Sequence, residues 1–156
     1  MPRSHMEPGL EFLLEARVRV EPALELGEVP RGRRRIIPIA GGTFEGPKLR
    51  GVVVPGGADW QIVRPDGLAE LTARYTLQTD DGALIFVVNR GVRHGPAEVV
   101  AKLMRGEPVD SASYYFRTTP TFETGSRKYD WLNRHVFVAV GERHPAEVAI
   151  RMYQVT

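Results

Sequence analysis

The chain has 156 residues, with 21 Lys and Arg against 19 Asp and Glu, a net charge of +2, and no cysteine. That length suffices for one domain with a substantial core. The absence of thiols excludes disulfides, zinc–thiolate and iron–sulfur centres and a cysteine nucleophile, and the near balance of charge argues against a nucleic-acid binder, which concentrates basic residues on one face.

In chain order, residues 1–5 with the Met that follows, MPRSHM, read as a cloning remnant. Residues 6–156 are therefore taken as the single domain, and His5 is left out of any site. The stretch LEFLLEARVRV alternates. Phe12, Leu14, Ala16, Val18 and Val20 fall on one side, and Glu15, Arg17 and Arg19 on the other, the period of a half-buried strand. Arg31, Arg33, Arg34 and Arg35 are expected in a solvated loop before the next strand, with a phosphate- or partner-binding patch as the alternative. RRIIPIAGG, KLRGVVVPGG and WQIVRPDG continue the strand series. In PGGADW, Gly56 and Gly57 are expected to allow a tight turn that aims Asp59 at one mouth of the fold.

ELTARYTLQTDDGALIFVVNRG predicts a hairpin about Asp81-Gly82. GPAEVVAKLMRGE predicts the one helix, over 96–105, with Pro96 in its first turn, Gly106 past its end, and Val99, Val100, Leu103 and Met104 as its apolar stripe. An exposed Glu98–Lys102 pair is expected on its outer side. Three late strands complete the chain in SYYFRTTP, NRHVFVAVGER and EVAIRMYQV. One short helix cannot cover a sheet of eight to ten strands. A mainly β fold, a single closed antiparallel barrel, therefore follows.

Motifs of known chemistry are missing. GGTFEGPK lacks the Gly-Lys-Ser/Thr ending of a phosphate loop and leads into a strand. There is no GxSxG elbow. His94, His135 and His144 do not stand at ligand spacing, so no metal and no cofactor are expected. No run is apolar for long enough to span a membrane and no signal peptide is visible; a cytoplasmic protein without membrane or nucleic-acid partners is the expectation.

The candidate site comes from strand faces. Read as a strand, WLNRHVFVAVG places Trp131, Asn133, His135 and Phe137 on one side, aromatic rings mixed with an amide and an imidazole, as suits a ligand cavity. Tyr115 shares a face with Arg117, and Tyr75 with Ala73 and Leu77. A barrel of about eight strands can hold one small ligand. Each residue also has a structural alternative: Asp59 as a turn acceptor, Arg117 as partner to an acid such as Glu123, Trp131 and Tyr75 as core.

The blocks GGTFEGPKLRG, VPGGADWQIVRPDG, ARYTLQTDDGALIFVVNRG, YYFRTTPTFETGS and YDWLNR together resemble the family "domain of unknown function 3237", over about Leu10 to Val155. The resemblance implies a small barrel, lipocalin-like or allene-oxide-cyclase-like, and brings no reaction with it. It places Asp59, Trp60, Arg117, Phe122, Glu123, Trp131 and Asn133 in the family's signature blocks.

Three functions stay open. The first is a cofactor-independent isomerase, cyclase or lyase acting on a small, partly apolar organic acid or carbonyl compound. Asp59 or Glu123 would move a proton, Arg117 would hold a carboxylate or oxyanion, and Tyr75 or Tyr115 would donate a hydrogen bond, with Trp60, Phe122, Trp131, Asn133 and His135 lining the pocket. The second is a barrel that binds or carries a small molecule without chemistry. The third is a structural or regulatory subunit using the Arg31–Arg35 face. A homo-oligomer is open in each case. The first reading expects Asp59 and Arg117 to reach one cavity with Trp131 in its wall.

Overall fold

A computed structural model describes residues 5–156; of the proposed remnant, residues 1–4 lie outside the described part. The strands are β1 (Leu10–Val20), β2 (Leu24–Val29), β3 (Gly32–Glu45), β4 (Arg50–Val63), β5 (Ala69–Thr79), β6 (Leu84–His94), β7 (Tyr115–Glu123), β8 (Phe137–Arg143) and β9 (Glu147–Val155), with one helix, α1 (Ala97–Met104). They pair antiparallel in the order β1-β9-β8-β7-β6-β5-β4-β3-β2, and β1 also pairs with β3. That last pairing closes β1 and β3 to β9 into an eight-strand antiparallel barrel, with β2 left outside the closed ring along the first part of β3. Closure removes the free edges that a sheet of this size would otherwise expose.

Alternation decides which side chains fill the barrel. On β1, Leu14, Ala16 and Val18 are buried, while Glu15 and Arg17 face outward and bridge to Arg151 and Glu147 of β9. Phe12 departs from the expected face. The β1–β9 register shifts between Phe12 and Leu14, so Leu13 and Leu14 both turn inward and Phe12 is exposed.

β3 begins at Gly32, inside the arginine cluster expected as a loop. Distance along the strand and the partners within reach then divide the cluster. Arg33 pairs with Glu25, Arg31 with Glu70, and Arg35 points inward. The PGG segment likewise forms no reversal, because β4 runs straight through it. Pro55, Gly56 and Gly57 bulge out opposite the single residue Tyr75 of β5. Gly56 has φ +116, and a Cβ on Gly57 would lie 2.7 Å from the Tyr75 Cβ, so both places demand glycine.

The 79–84 hairpin turns at Asp80 and Asp81 as expected, with Gly82 at φ +90 and its amide donating to the Thr79 carbonyl. α1 ends in a Schellman motif: Gly106, at φ +74, donates to the Leu103 carbonyl and Glu107 to that of Lys102. Leu103 is buried, Val99, Val100 and Met104 are half-buried, and no ion pair joins Glu98 to Lys102. α1 follows β6 directly and so lies at the end of the barrel to which Arg93, Phe116 and Arg143 belong. The other end is packed by Leu77, Ile85, Phe122, Leu132, Phe137 and Met152. There the expected strand 131–136 is instead a 3₁₀ turn over Asp130–Arg134, and β8 starts only at Phe137.

Candidate functional site

The lumen near α1 is a cavity of about 60 Å³ to which all eight barrel strands contribute. Val18, Ile39, Leu71 and Ile150 make its apolar wall, and Asp59, Tyr75, Asn89, Arg93, Thr118 and Arg143 supply its polar groups. It adjoins an outer depression of about 380 Å³ between the β1–β2 connection, α1 and the 143–146 turn; Val20, Ile37 and Arg143 line both spaces. Val20, Ile37 and Arg143 therefore stand between the lumen and the surface beside the helix.

Asp59 enters the lumen because β4 resumes alternation after its bulge, pairing Asp59 with Ile37 on one side and Ala73 on the other. The β4–β5 pairing then skips Trp60 and Gln61 and returns at Ile62–Glu70. At that gap the Thr72 amide donates to Asp59 Oδ1 at 2.9 Å. Oδ2 has only a long contact from Gln61 Nε2, at 3.4 Å. Gln61 is itself fully buried, and its Oε1 accepts from Arg35 at 2.9 Å. Arg35 further donates to Glu25 at 2.8 Å and to the Met104 carbonyl at 3.3 Å, which ties β2, β3, β4 and the end of α1 together behind the acid.

Burial pushes the Asp59 carboxyl above the usual aspartate range, against the opposing pull of the Thr72 amide, Arg93, Gln61 and Arg35. Counted over the whole residue Asp59 is half-buried, and the carboxyl borders the lumen. Burial also raises the Tyr75 hydroxyl and lowers the Arg93 guanidinium to about 10. Arg143 is lowered by burial and by its neighbour Arg35.

Polar atoms around Asp59 are unusually free of protein partners. Tyr75 OH, Asn89 Oδ1 and Thr118 Oγ1 are buried and accept or donate no hydrogen bond among the described residues. Arg93 is only 7% exposed and forms no ion pair there; its guanidinium lies 5.6 Å from the Phe116 ring centre. Buried polar groups are nearly always paired, so this cluster of unpaired ones sets the lumen apart from the rest of the core.

Of the residues singled out in the sequence, Asp59 and Tyr75 meet in this lumen. The expectation that Arg117 joins them, with Trp131 in the wall, is corrected. Arg117 and Tyr115 lie on the outer side of β7, where the Arg117 guanidinium stacks 5.0 Å from the Tyr115 ring centre and donates to the Phe116 carbonyl. The inward residues of β7 are Phe116, Thr118, Pro120 and Phe122. Trp131 sits in the 3₁₀ turn at the opposite end of the barrel, half-buried against the core, with Lys48 over its ring.

Glu123 is exposed at the end of β7, and Trp60 projects outward from β4. Phe122 packs edge-on against Phe137 in the far core. Asn133 braces the 124–133 segment by accepting from the Thr124 amide and donating to its carbonyl. His135 is exposed, its Nδ1 2.7 Å from the Trp131 carbonyl. Reading 131–137 as a strand therefore grouped side chains that the chain separates.

The residues missed are Asn89, Arg93, Thr118, Arg143 and the supporting pair Arg35 and Gln61. One signal for them was present. Ile85, Val87, Asn89 and Arg93 share one parity of β6, so two polar residues continue a dry face into the barrel. No group of three His, Asp or Glu among the described residues is placed to hold a metal ion, and no helix there is long and apolar enough to cross a membrane.

Similarity to known proteins extends over nearly the whole chain. The UPF0311 protein RPA1785 of Rhodopseudomonas palustris is 47% identical over 152 residues, 96% of this chain and 99% of its own. Its crystal structure superposes with a TM-score of 0.94 at 45% identity, covering 96% of this chain and 99% of that one. A protein named hydroalkoxylation enzyme phnH, from Penicillium herquei, is 29% identical over 126 residues, 81% of this chain and 69% of its own. The family model described as "Protein of unknown function (DUF3237)" matches residues 8–155, and the chain belongs to that family.

Proposed function

We propose that the barrel is a cofactor-independent proton-transfer enzyme that binds a small, partly apolar organic molecule in its lumen, with Asp59 as the acid–base group. The observation that carries this reading is the Asp59 carboxyl itself. It borders the lumen, its Oδ1 is held by the Thr72 amide, and its Oδ2 is left with only a long contact. An acid whose burial favours the protonated form can donate from that oxygen, and a fixed second oxygen keeps it aimed. The name of the Penicillium relative supports the same class.

Hydroalkoxylation adds an O–H across a carbon–carbon double bond. In this lumen the Asp59 Oδ2 proton would pass to one alkene carbon. The substrate's hydroxyl oxygen would bond to the other carbon, and its proton would return to the Asp59 carboxylate. No bond to the protein forms, and the acid is regenerated. The apolar wall of Val18, Ile39, Leu71 and Ile150 keeps bulk water from capturing the developing cation.

The test is incubation of the protein with a panel of ortho-allyl and ortho-prenyl phenols, following the cyclic ether by chromatography. Turnover by the parent protein and its loss in Asp59→Asn, with ligand binding retained, is the expected result. Equal turnover by Asp59→Asn would reject Asp59 as the acid. Binding without turnover by the parent would favour a carrier.

A further inference from the structure

We infer that Arg93 is the anion anchor of the lumen, and that the cavity takes a small hydroxylated carboxylic acid with an apolar or aromatic body. This rests on the preceding reading only in treating the lumen as the ligand site. The argument starts from the three guanidinium groups near Asp59. Arg35 is satisfied by Glu25, Gln61 and the Met104 carbonyl. Arg143 bonds through Nη1 to the His144 carbonyl. Arg93 has neither: it is buried, has no hydrogen bond or ion pair among the described residues, and lies over the face of Phe116 with Asp59 as its nearest source of negative charge in the lumen. A buried guanidinium without an anion is costly, and its planar fork matches a carboxylate at two points.

Asp59 is the one carboxylate among the residues lining the lumen; its Oδ1 accepts from the Thr72 amide, its charge attracts Arg93, but no ion pair joins the two among the described residues and burial favours the protonated acid. The charge that Arg93 lacks is therefore brought by the ligand. Apolar walls exclude a bare inorganic anion as a good fit and require a hydrocarbon body behind the charge.

The hydroxyl requirement comes from the other end of the same strand face. Asn89 lies four residues from Arg93 on the inner side of β6, about 13 Å away at strand spacing, and Thr118 stands opposite Gly91 between them. Asn89 Oδ1, Thr118 Oγ1 and Tyr75 OH are the three buried side-chain atoms without partners among the described residues. An acceptor with two flanking hydroxyls fits a ligand hydroxyl, which donates to the amide oxygen and accepts from Tyr75 or Thr118. The lumen thus reads carboxylate at Arg93, apolar body across the middle, and hydroxyl at Asn89.

The probes are 4-hydroxybenzoate, its methyl ester and benzoate, titrated into the protein and followed by NMR. The parent is expected to bind the acid about tenfold more tightly than the ester, as befits a charge-assisted two-point contact, and 4-hydroxybenzoate more tightly than benzoate. Arg93→Met should erase the preference for acid over ester. Arg93→Lys should keep part of it, because the charge remains and the fork is lost. Arg117→Ala, on the outer wall, should bind as the parent does.

Equal binding of acid and ester, binding of neither, or a preference surviving in Arg93→Met overturns the inference. If Arg93→Met does not fold, an unchanged affinity in Arg93→Lys overturns it instead. Asp59→Asn separates the two readings. Turnover should fall with that variant while the preference for acid persists, so either reading can fail without the other.

Discussion

Gln61 faces Asp59 through its Nε2 because Arg35 holds its Oε1 at 2.9 Å. An amide bonded at one end to a cation can present only its donor at the other. The orientation of the nearest side-chain donor to the acid is thus decided by a residue on a different strand, outside the group that lines the lumen.

Gln61→Leu should lower stability by about 1–3 kcal/mol, since the buried Arg35 loses an acceptor and is left partly unpaired. It should also move the alkaline limb of activity, where Asp59 loses the proton it donates, to higher pH, because Gln61 is one of the groups holding the Asp59 proton affinity down. Urea unfolding and a pH–rate profile check the two effects separately. A stability loss with no shift in the profile would mean that Gln61 acts on Arg35 alone.

Stability should depend on pH through Asp59. Its folded pKa lies above its unfolded value, so at intermediate pH the folded state holds a proton that the unfolded state has lost. This contribution is fully present below the unfolded pKa and is lost as pH rises through the folded one, with a slope of at most about 1.4 kcal/mol per pH unit. Asp59→Asn should flatten that part of the curve and be more stable than the parent at neutral pH. Unfolding free energies from pH 4 to 8 give the answer; parallel curves for the two proteins would contradict it.

Tyr75→Phe should stabilise the protein without ligand by about 1 kcal/mol or more, because it removes a buried hydroxyl that has no partner. The same change should weaken 4-hydroxybenzoate more than benzoate. Thermal melts and the titrations described above check both halves, and a destabilised Tyr75→Phe would show that the hydroxyl is paired in solution.

Gly91→Ala should cost about 1–3 kcal/mol or more from overpacking, because its Cβ would stand 2.2 Å from the Arg117 carbonyl oxygen and 2.5 Å from Thr118 Cγ2. Gly125→Ala, with open space around the Cβ position, should be nearly neutral. Chemical denaturation of the pair tests whether β6 and β7 approach as closely as described.

The barrel was legible because its strands alternate cleanly and only one stretch has a helical stripe. The site was legible in part. Asp59 stood out as an acid just past a glycine pair and Tyr75 as a hydroxyl sharing a face with Ala73 and Leu77, and they do meet, although the glycine pair forms a bulge and not a turn. Arg117 misled because β7 carries aromatic and polar side chains on both faces, and period-two alternation says which residues share a face without saying which face is inside. Trp131 misled for a different reason: DWLNR closes into a 3₁₀ turn through the Leu132 amide and Tyr129 carbonyl, a local bond that no alternation pattern reports. Arg93 and Asn89 needed the opposite inference, that polar side chains on an otherwise dry strand face point into the barrel and not out of it.

The bulge in β4 also constrains how the gene can change length. Three residues of β4 stand opposite one of β5, an excess of two, so the inward side chains before and after it stay in step: Val53 on one side, Asp59 on the other. Loss or gain of a single codon there would put the two halves of the strand out of step, turning the acid to solvent and driving Trp60 into the lumen, or inverting the half that carries Val53. Removal of two codons together would leave both halves in step. Natural variation at this point should therefore come in pairs of residues, and a homologue with an odd difference should no longer place an acid at the inner position that Asp59 fills.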